Sequence, residues 1–285
     1  WQGVLQRRRG LDALLDTIEH LQGAPLAASL LETAILPARL ANYTPGSLDT
    51  LIAAGEVVWC GLDSLGAHDG RIGLFLSDKL RTLLPPRPAP SPDNPLSARE
   101  MEVLAQLGRS GAAFFAQLHD AVGGGYPGET LDALWSLVWR GLVTNDSLHA
   151  LRAYIARPES ARTPRRLQTG AVFRSRRTTP PTAQGRWSLL PLRNAKKGED
   201  APSATEASHA LALQLLNRYG VLMREHVAAE NVPGGFSAVY DVLKALEESG
   251  RIRRGYFVAG LGATQFALPA AIDLLRQLRS APPAE

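Results

Sequence analysis

The stretch Leu243-Lys244-Ala245-Leu246-Glu247-Glu248-Ser249-Gly250-Arg251-Ile252 decides the fold, because its skeleton occurs three times in the chain. Leu48, Leu51, Gly55 and Val57 repeat the spacing, and so do Leu134, Leu137, Gly141 and Val143. The shared pattern is L-x-x-L-x-x-x-G-x-[VI]. Leucines three apart lie on one helix face. The glycine supplies the left-handed residue that ends a helix. The β-branched residue two positions later opens a strand. One copy is an ordinary helix–strand junction, whereas three copies at similar intervals are the mark of a repeated unit.

Two stretches separate the copies. LLPPRPAPSPDNPLS (83–97) is too rich in proline for a helix or a central strand, and RNAKKGEDAPSAT (193–205) is polar without apolar periodicity. Three pieces result, 1–84, 97–191 and 204–285. In the first, LDALLDTIEHLQ, PLAASLLETAILPARL and Ser47–Ala54 read as helices. EVVWCGLDSL and RIGLFLSD then form a hairpin with His68-Asp69-Gly70 at its tip, Asp-Gly being a pair that tight turns prefer. In the third, TEASHALALQLLNRYG, MREHVAAEN and SAVYDVLKALEESG are helices, and RIRRGYFVA and TQFALP are strands around Gly260-Leu261-Gly262; a C-terminal helix follows. The middle piece has the helices SAREMEVLAQLG, FFAQLHDAVG and ETLDALWSLVWRG, then the strand LVTN and a return strand in GRWSLLP. Between those strands lie a helix, SLHALRAYIAR, and a basic run. Three helices followed by a β-hairpin describe a winged helix, a helix-turn-helix variant whose third helix can enter the major groove. The expected fold is therefore mainly α with small β-hairpins (α+β), in three tandem winged-helix modules, the middle one with an enlarged basic wing.

Composition excludes several classes. Of 285 residues, 45% are hydrophobic and 20% charged, which suits a globular protein, and no apolar run approaches the length of a membrane span. The opening WQGVLQRRRG has neither a start methionine nor a signal peptide, so the chain reads as an excised fragment of something longer, and its sparse cysteine usage reads as cytoplasmic. Its one cysteine, Cys60, cannot build a disulfide framework or a thiolate zinc site. The formal charge is +4, but residues 157–177 hold seven arginines against Glu159 alone. That run carries +6, and the remainder of the chain sums to −2.

The words LDTLIAAGEVVWCGLDSLGAHDGRIGLFLSD, GRWSLLP and RYGVLMREHVAAENVPGGFSAVYDVLKALEESGRIRRGYFVAGLGATQFALP closely resemble the C-terminal region of bacterial large helicase-related (Lhr) proteins. These are ATP-dependent DNA helicases of the DEAD/DEAH-box type. The resemblance covers nearly the whole chain and is strongest from Arg218 to Pro269. It implies a parent with two RecA-like motor lobes that translocates 3′–5′ on single-stranded DNA and unwinds duplexes, RNA–DNA hybrids included, in DNA repair. It also implies tandem winged helices followed by a β-barrel, similar in architecture to DNA glycosylases, an activity attributed to some members. This chain departs from the whole-family pattern. It has no G-x-x-x-x-G-K-[ST] phosphate loop, so no cofactor is expected here, and ATP and magnesium belong to motor domains outside it. No glycosylase carboxylate can be placed on a matched position.

The first candidate for nucleic-acid contact is the basic run, within it Arg165, Arg166, Arg174, Arg176 and Arg177; arginine on phosphate releases counterions and gives salt-sensitive affinity. The same run also suits a solvated loop, or a dock on an acidic motor surface. Arg251, Arg253 and Arg254, with Tyr256, fall on the wing of the third piece, where alternation puts Arg251 and Arg253 opposite Ile252 and Arg254; a solvated hairpin is the plain alternative. On the third helix there, Ser237, Tyr240, Asp241 and Lys244 lie opposite Val239, Leu243 and Leu246, though Asp241, Glu247 and Glu248 disfavour phosphate. The first piece offers only Thr44, Asp49 and Thr50 on its third helix, and Arg7, Arg8 and Arg9 precede its first. The six histidines fall in no metal-ligand spacing, Asp63 and Asp69 read as turn residues, and Trp59, Trp135, Trp139 and Trp187 as core.

Three functions follow from these readings. The leading one is a non-catalytic nucleic-acid-binding and assembly segment. Its partners would be single-stranded or forked DNA or an RNA–DNA hybrid, the motor domains of the same chain and a second copy, with no membrane. The others are part of a base-excising glycosylase module and a scaffold contacting protein alone.

Overall fold

A computed structural model describes residues 1–85, 95–156, 179–191, 202–262 and 264–280. The interiors of both separating stretches, and the whole arginine run with Arg165, Arg166, Arg174, Arg176 and Arg177, lie outside the described residues.

The chain builds three small antiparallel sheets with one strand order, the first strand beside the third and the third beside the second. The first part runs α1 (Leu11–Leu21), β1 (Leu26–Ala27), α2 (Ala28–Leu30, continued by a π-helical turn Leu31–Ile35), α3 (Pro45–Ala53), β2 (Val57–Ser64), β3 (Gly70–Leu76) and α4 (Leu80–Leu83). The middle part runs α5 (Ala98–Ser110), β4 (Ala112–Phe114), α6 (Phe115–Ala121), α7 (Pro127–Trp139), β5 (Val143–Asn145), α8 (His149–Ile155) and β6 (Arg186–Leu189). The last part runs α9 (Ala204–Tyr219), β7 (Val221–Leu222), α10 (Arg224–Ala229), α11 (Ser237–Glu248), β8 (Arg253–Gly255), β9 (Gln265–Ala267) and α12 (Pro269–Ser280). The α+β class is as expected. Among the described residues no helix is long and apolar enough to cross a membrane.

The repeated motif does in each copy what its residues dictate. Gly55, Gly141 and Gly250 have φ of 77, 62 and 74°. Each donates its N–H to the carbonyl three residues back, and the next residue donates five back: Glu56 to Leu51, Leu142 to Leu137, Arg251 to Leu246. That is the Schellman closure, which satisfies carbonyls a helix end otherwise leaves unpaired. All six leucines and the three β-branched residues are buried. Ser97 and Ser203, the last polar residues before α5 and α9, form capping boxes with Glu100 and Glu206.

Several expectations need correction. Leu26–Ala27, read as helix, is strand β1, and β4 and β7 are likewise added strands, so each hairpin is really a three-stranded sheet. Elements of two or three residues are too short to show a period. The first hairpin is not closed by a tight two-residue turn: residues 65–69 form a longer loop, in which the Asp69 carboxylate accepts from the Gly70 N–H (2.8 Å) and from the N–H and hydroxyl of Ser29 (3.1 and 2.6 Å). Leu84, placed in a linker, is buried with Cys60, Phe75, Leu80 and Leu190.

The first and middle parts share one apolar core. The Trp59 indole donates to the Asn145 carbonyl (2.9 Å), and the Thr144 hydroxyl returns a bond to the Trp59 carbonyl (2.6 Å). The last part has its own core of Leu215, Leu216, Val239, Leu243, Leu246, Ile252 and Phe266.

Candidate nucleic-acid interface

A helix-turn-helix surface consists of the outer face of the third helix and the hairpin beside it. Two of the third helices here are spent on internal packing. On α3, Asp49 is ion-paired with Arg152 of α8 (2.9 Å), and the same guanidinium holds Glu32 through two nitrogens (2.6 and 2.9 Å). Burial works against the Arg152 charge, but the bonds to Glu32 and Asp49 outweigh it and hold its pKa above the ordinary range. Helix α7 is buried on most of its circumference, from Thr130 through Val138. Its outer side meets β2, and Trp135 stacks on Tyr154 of α8 at 4.2 Å. The signal for this was in the sequence: Ala133-Leu134-Trp135-Ser136-Leu137-Val138-Trp139 is apolar nearly all round, which a helix with one wet face is not. The loop of the first hairpin is tethered to the middle part, with the Tyr154 hydroxyl donating to the Ala67 carbonyl (3.2 Å), while Gly66 and Ala67 stay exposed.

The last part is held against the first through its opposite side, helix α9. Gln214 donates to the carbonyls of Glu19 and His20 (2.8 and 3.2 Å), and Arg218 to those of His20 and Gln22. These are C-terminal carbonyls of α1, the end of a helix that favours a cation. Arg218, 4% exposed, is also ion-paired with Glu230, which accepts from the Tyr219 hydroxyl (2.6 Å). His226 stacks on Tyr219 with ring centroids 3.9 Å apart. Burial pushes the His226 pKa down, against the opposing pull of Glu225 and Glu230. The unfolded chain, whose histidine titrates near about 6.5, then binds more protons than the folded one, so this stability is present above that pH and lost as pH falls through the folded value. A lower urea midpoint is expected at about pH 5.5 than at about pH 7.5, with the difference reduced in His226→Phe, which keeps the stack.

That mounting leaves α11 and its hairpin facing outward. On α11, Ser237, Asp241 and Lys244 are exposed, while Tyr240 is half-buried against Phe236 and Phe266. Lys244 faces Glu248 at 3.8 Å, and Arg254 faces Glu247 at 4.0 Å. The side chains of Arg251 and Arg253 are exposed and make no ion pair or hydrogen bond among the described residues. Arg254 is exposed as well, although alternation put it with Ile252. Strand β8 starts only at Arg253, so the two-residue period does not reach back to Ile252, which is buried. At the N-terminus, Arg8 is ion-paired with Asp16 (2.5 Å), Arg7 donates to the Pro37 carbonyl (3.4 Å), and Arg9 is exposed.

Sequence reasoning missed the residue that shapes this wing. Gln265, fully buried on β9, accepts from the N–H groups of Phe257 and Val258 (2.7 and 2.8 Å) and donates to the carbonyls of Val258 and Gly262 (2.8 and 3.1 Å). A polar residue alternating with apolar neighbours reads as solvent-facing; only the loop folding back over it makes it internal.

Residues 1–77 and 201–285 each match a family model described as large helicase-related protein, winged-helix domain. The chain is similar to the Lhr helicase/probable uracil glycosylase of Mycolicibacterium smegmatis, 38% identical over 287 residues, covering 97% of this chain and 18% of that protein. It is equally similar to the Lhr helicase/uracil glycosylase of Escherichia coli K12, 38% identical over 289 residues, covering 94% of this chain and 18% of that protein. The chain thus spans 18% of the length of each of these curated relatives.

Proposed function

The chain belongs to the large helicase-related family, and from that premise we propose that it is a nucleic-acid-binding and assembly segment of an ATP-dependent helicase, from the C-terminal region, with binding concentrated on its last winged helix. In this reading the parent moves 3′–5′ on DNA in a repair setting, with ATP and magnesium held by motor domains elsewhere in the protein. The segment comprises three winged helices, 1–84, 97–191 and 204–285. The middle one is included because its strand order repeats that of its neighbours.

The observation that carries this reading is the contrast between surfaces. Helix α7 is buried over most of its surface and α3 gives Asp49 to an internal ion pair, whereas the α11–β8–β9 surface is open and, among the described residues, holds Arg251 and Arg253 without acidic partners. Asp241, Glu247 and Glu248 repel phosphate from the helix itself, so the wing rather than α11 meets the backbone. The basic run 157–177 adds a second cationic element, and Arg9 a third site of contact. Forked or single-stranded DNA, or an RNA–DNA hybrid, is the expected partner.

Salt-titrated binding to a labelled duplex tests this. With Arg251→Ser and Arg253→Ser together, the slope of log K against log salt is expected to flatten by about 1.8, from two lost phosphate contacts at about 0.9 each. Replacing Arg165, Arg166, Arg174, Arg176 and Arg177 with serine should flatten it further. A slope unchanged by both sets of substitutions would leave a scaffold that contacts protein alone.

A second reading, base excision by this segment, draws on the two relatives, one named a probable uracil glycosylase and the other a uracil glycosylase. The buried carboxylates among the described residues are already occupied. Glu100 accepts from the Ser97 backbone and pairs with Arg140, and Glu230 pairs with Arg218. Cleavage of uracil-containing DNA by the isolated chain would establish the second reading over the first.

A further inference from the structure

Cations on the wing account for phosphate, but its largest exposed feature is an aromatic ring. Tyr256, immediately after β8, is 61% exposed, and Leu261 near the tip is 40% exposed. This exposure does not come from a loose loop. The next residues, Phe257 and Val258, pack inward on Val221, Ala267 and Ala271. Their backbone is fixed by three hydrogen bonds of Gln265, which donates a fourth to the Gly262 carbonyl. The Tyr256 hydroxyl itself accepts from the Gly260 N–H at 2.9 Å, which sets the direction of the ring. The ring is therefore rigid and solvent-facing, and Arg253 and Arg254 precede it by three and two residues.

We propose that Tyr256 is a base-stacking platform for an unpaired nucleic-acid strand, with Arg251 and Arg253 holding the phosphates that flank the stacked base. The chemistry follows from the pieces. Bases of a duplex hide their faces in the stack, while an unpaired base offers a π-face that an aromatic side chain covers regardless of sequence. A ring fixed before binding loses little conformational freedom when it is covered, so the contact is not eroded by ordering a loop. Adjacent guanidinium groups supply the backbone attraction that single-strand sites combine with stacking. The wing thus favours the separated strand at a fork over the duplex. This inference rests on the reading that the open wing meets nucleic acid, and it adds which form is bound and by what contact.

The test uses the full chain with fluorescein-labelled oligothymidine, oligouridine and a hairpin duplex. Tyr256→Ala is expected to weaken binding of one or both single strands roughly tenfold or more, with the salt slope unchanged, and to alter duplex binding less than about twofold. Tyr256→Phe should retain most of the single-strand affinity. Thymidine replaced by 5-iodouridine should photocross-link to Tyr256, as read by mass spectrometry. Arg251→Ser with Arg253→Ser should weaken single strand and duplex alike and flatten both slopes. If that double variant weakens binding while Tyr256→Ala leaves single-strand affinity and cross-linking elsewhere unchanged, stacking is overturned and phosphate contact stands. If neither variant changes anything, the wing is not a nucleic-acid surface and both statements fall.

Discussion

Arg218→Ala is expected to lower the unfolding free energy by about 3–5 kcal/mol, because removing one partner of a buried ion pair leaves the other charge stranded. Here the stranded group is Glu230, left with the Tyr219 hydroxyl as its remaining described partner. The same substitution also uncaps α1, whose His20 and Gln22 carbonyls lose the guanidinium that bridges to them from α9. Two effects should separate experimentally. Urea denaturation reads the stability loss, and small-angle scattering reads release of the last winged helix as a larger radius of gyration. Arg218→Met combined with Glu230→Gln should recover much of the stability, since no buried charge then lacks a partner, but not the contact with α1. A loss below about 1 kcal/mol for Arg218→Ala would show that the pair is not the clamp described.

Gly61→Ala should be strongly destabilising although it adds only one methyl group. Glycine to alanine commonly stabilises by about 0.4–1 kcal/mol through the unfolded state, wherever the folded backbone tolerates it. At Gly61 the new Cβ would collide with the main-chain carbonyl of Val138, in the last turn of α7. Neither side can give way easily: β2 is paired with β3 at this point, and Val138 is fully buried. Overpacking of this kind costs about 1–3 kcal/mol, and more when main chain rather than a side-chain tip must move. Gly46→Ala, on the first turn of α3 with no atom within 4 Å of its would-be Cβ, is the control and should be neutral or stabilising. Equal midpoints for the two variants in urea denaturation would contradict the close approach of β2 and α7.

What the sequence made legible was local. The three Schellman endings follow from a glycine and its leucines within ten residues of chain, and the helices on either side carry apolar periods long enough to read. The strands β1, β4 and β7 escape because two or three residues define no period. The joints escape for a different reason. Trp59 with Asn145, Arg152 with Glu32 and Arg218 with His20 are separated by 86, 120 and 198 residues, and no spacing rule links them. For the same reason, Arg251 and Arg253 could be proposed as contacts from composition, but their openness beside a largely buried α7 could not. Asp69 shows the converse hazard: its carboxylate does accept from the neighbouring Gly70 N–H, as a turn residue would, but it also bonds Ser29, which no local rule foresees.

Gln265 separates the shape of the last wing from the letters at its tip. Its four bonds all go to main-chain atoms, which every amino acid but proline offers alike, so the curve of residues 257–262 is written into the sheet beneath it. Outward-pointing side chains such as Tyr256 and Leu261 are then free to diverge. Exchanging single residues at these positions changes what the loop displays, while the frame that holds them stays as it is.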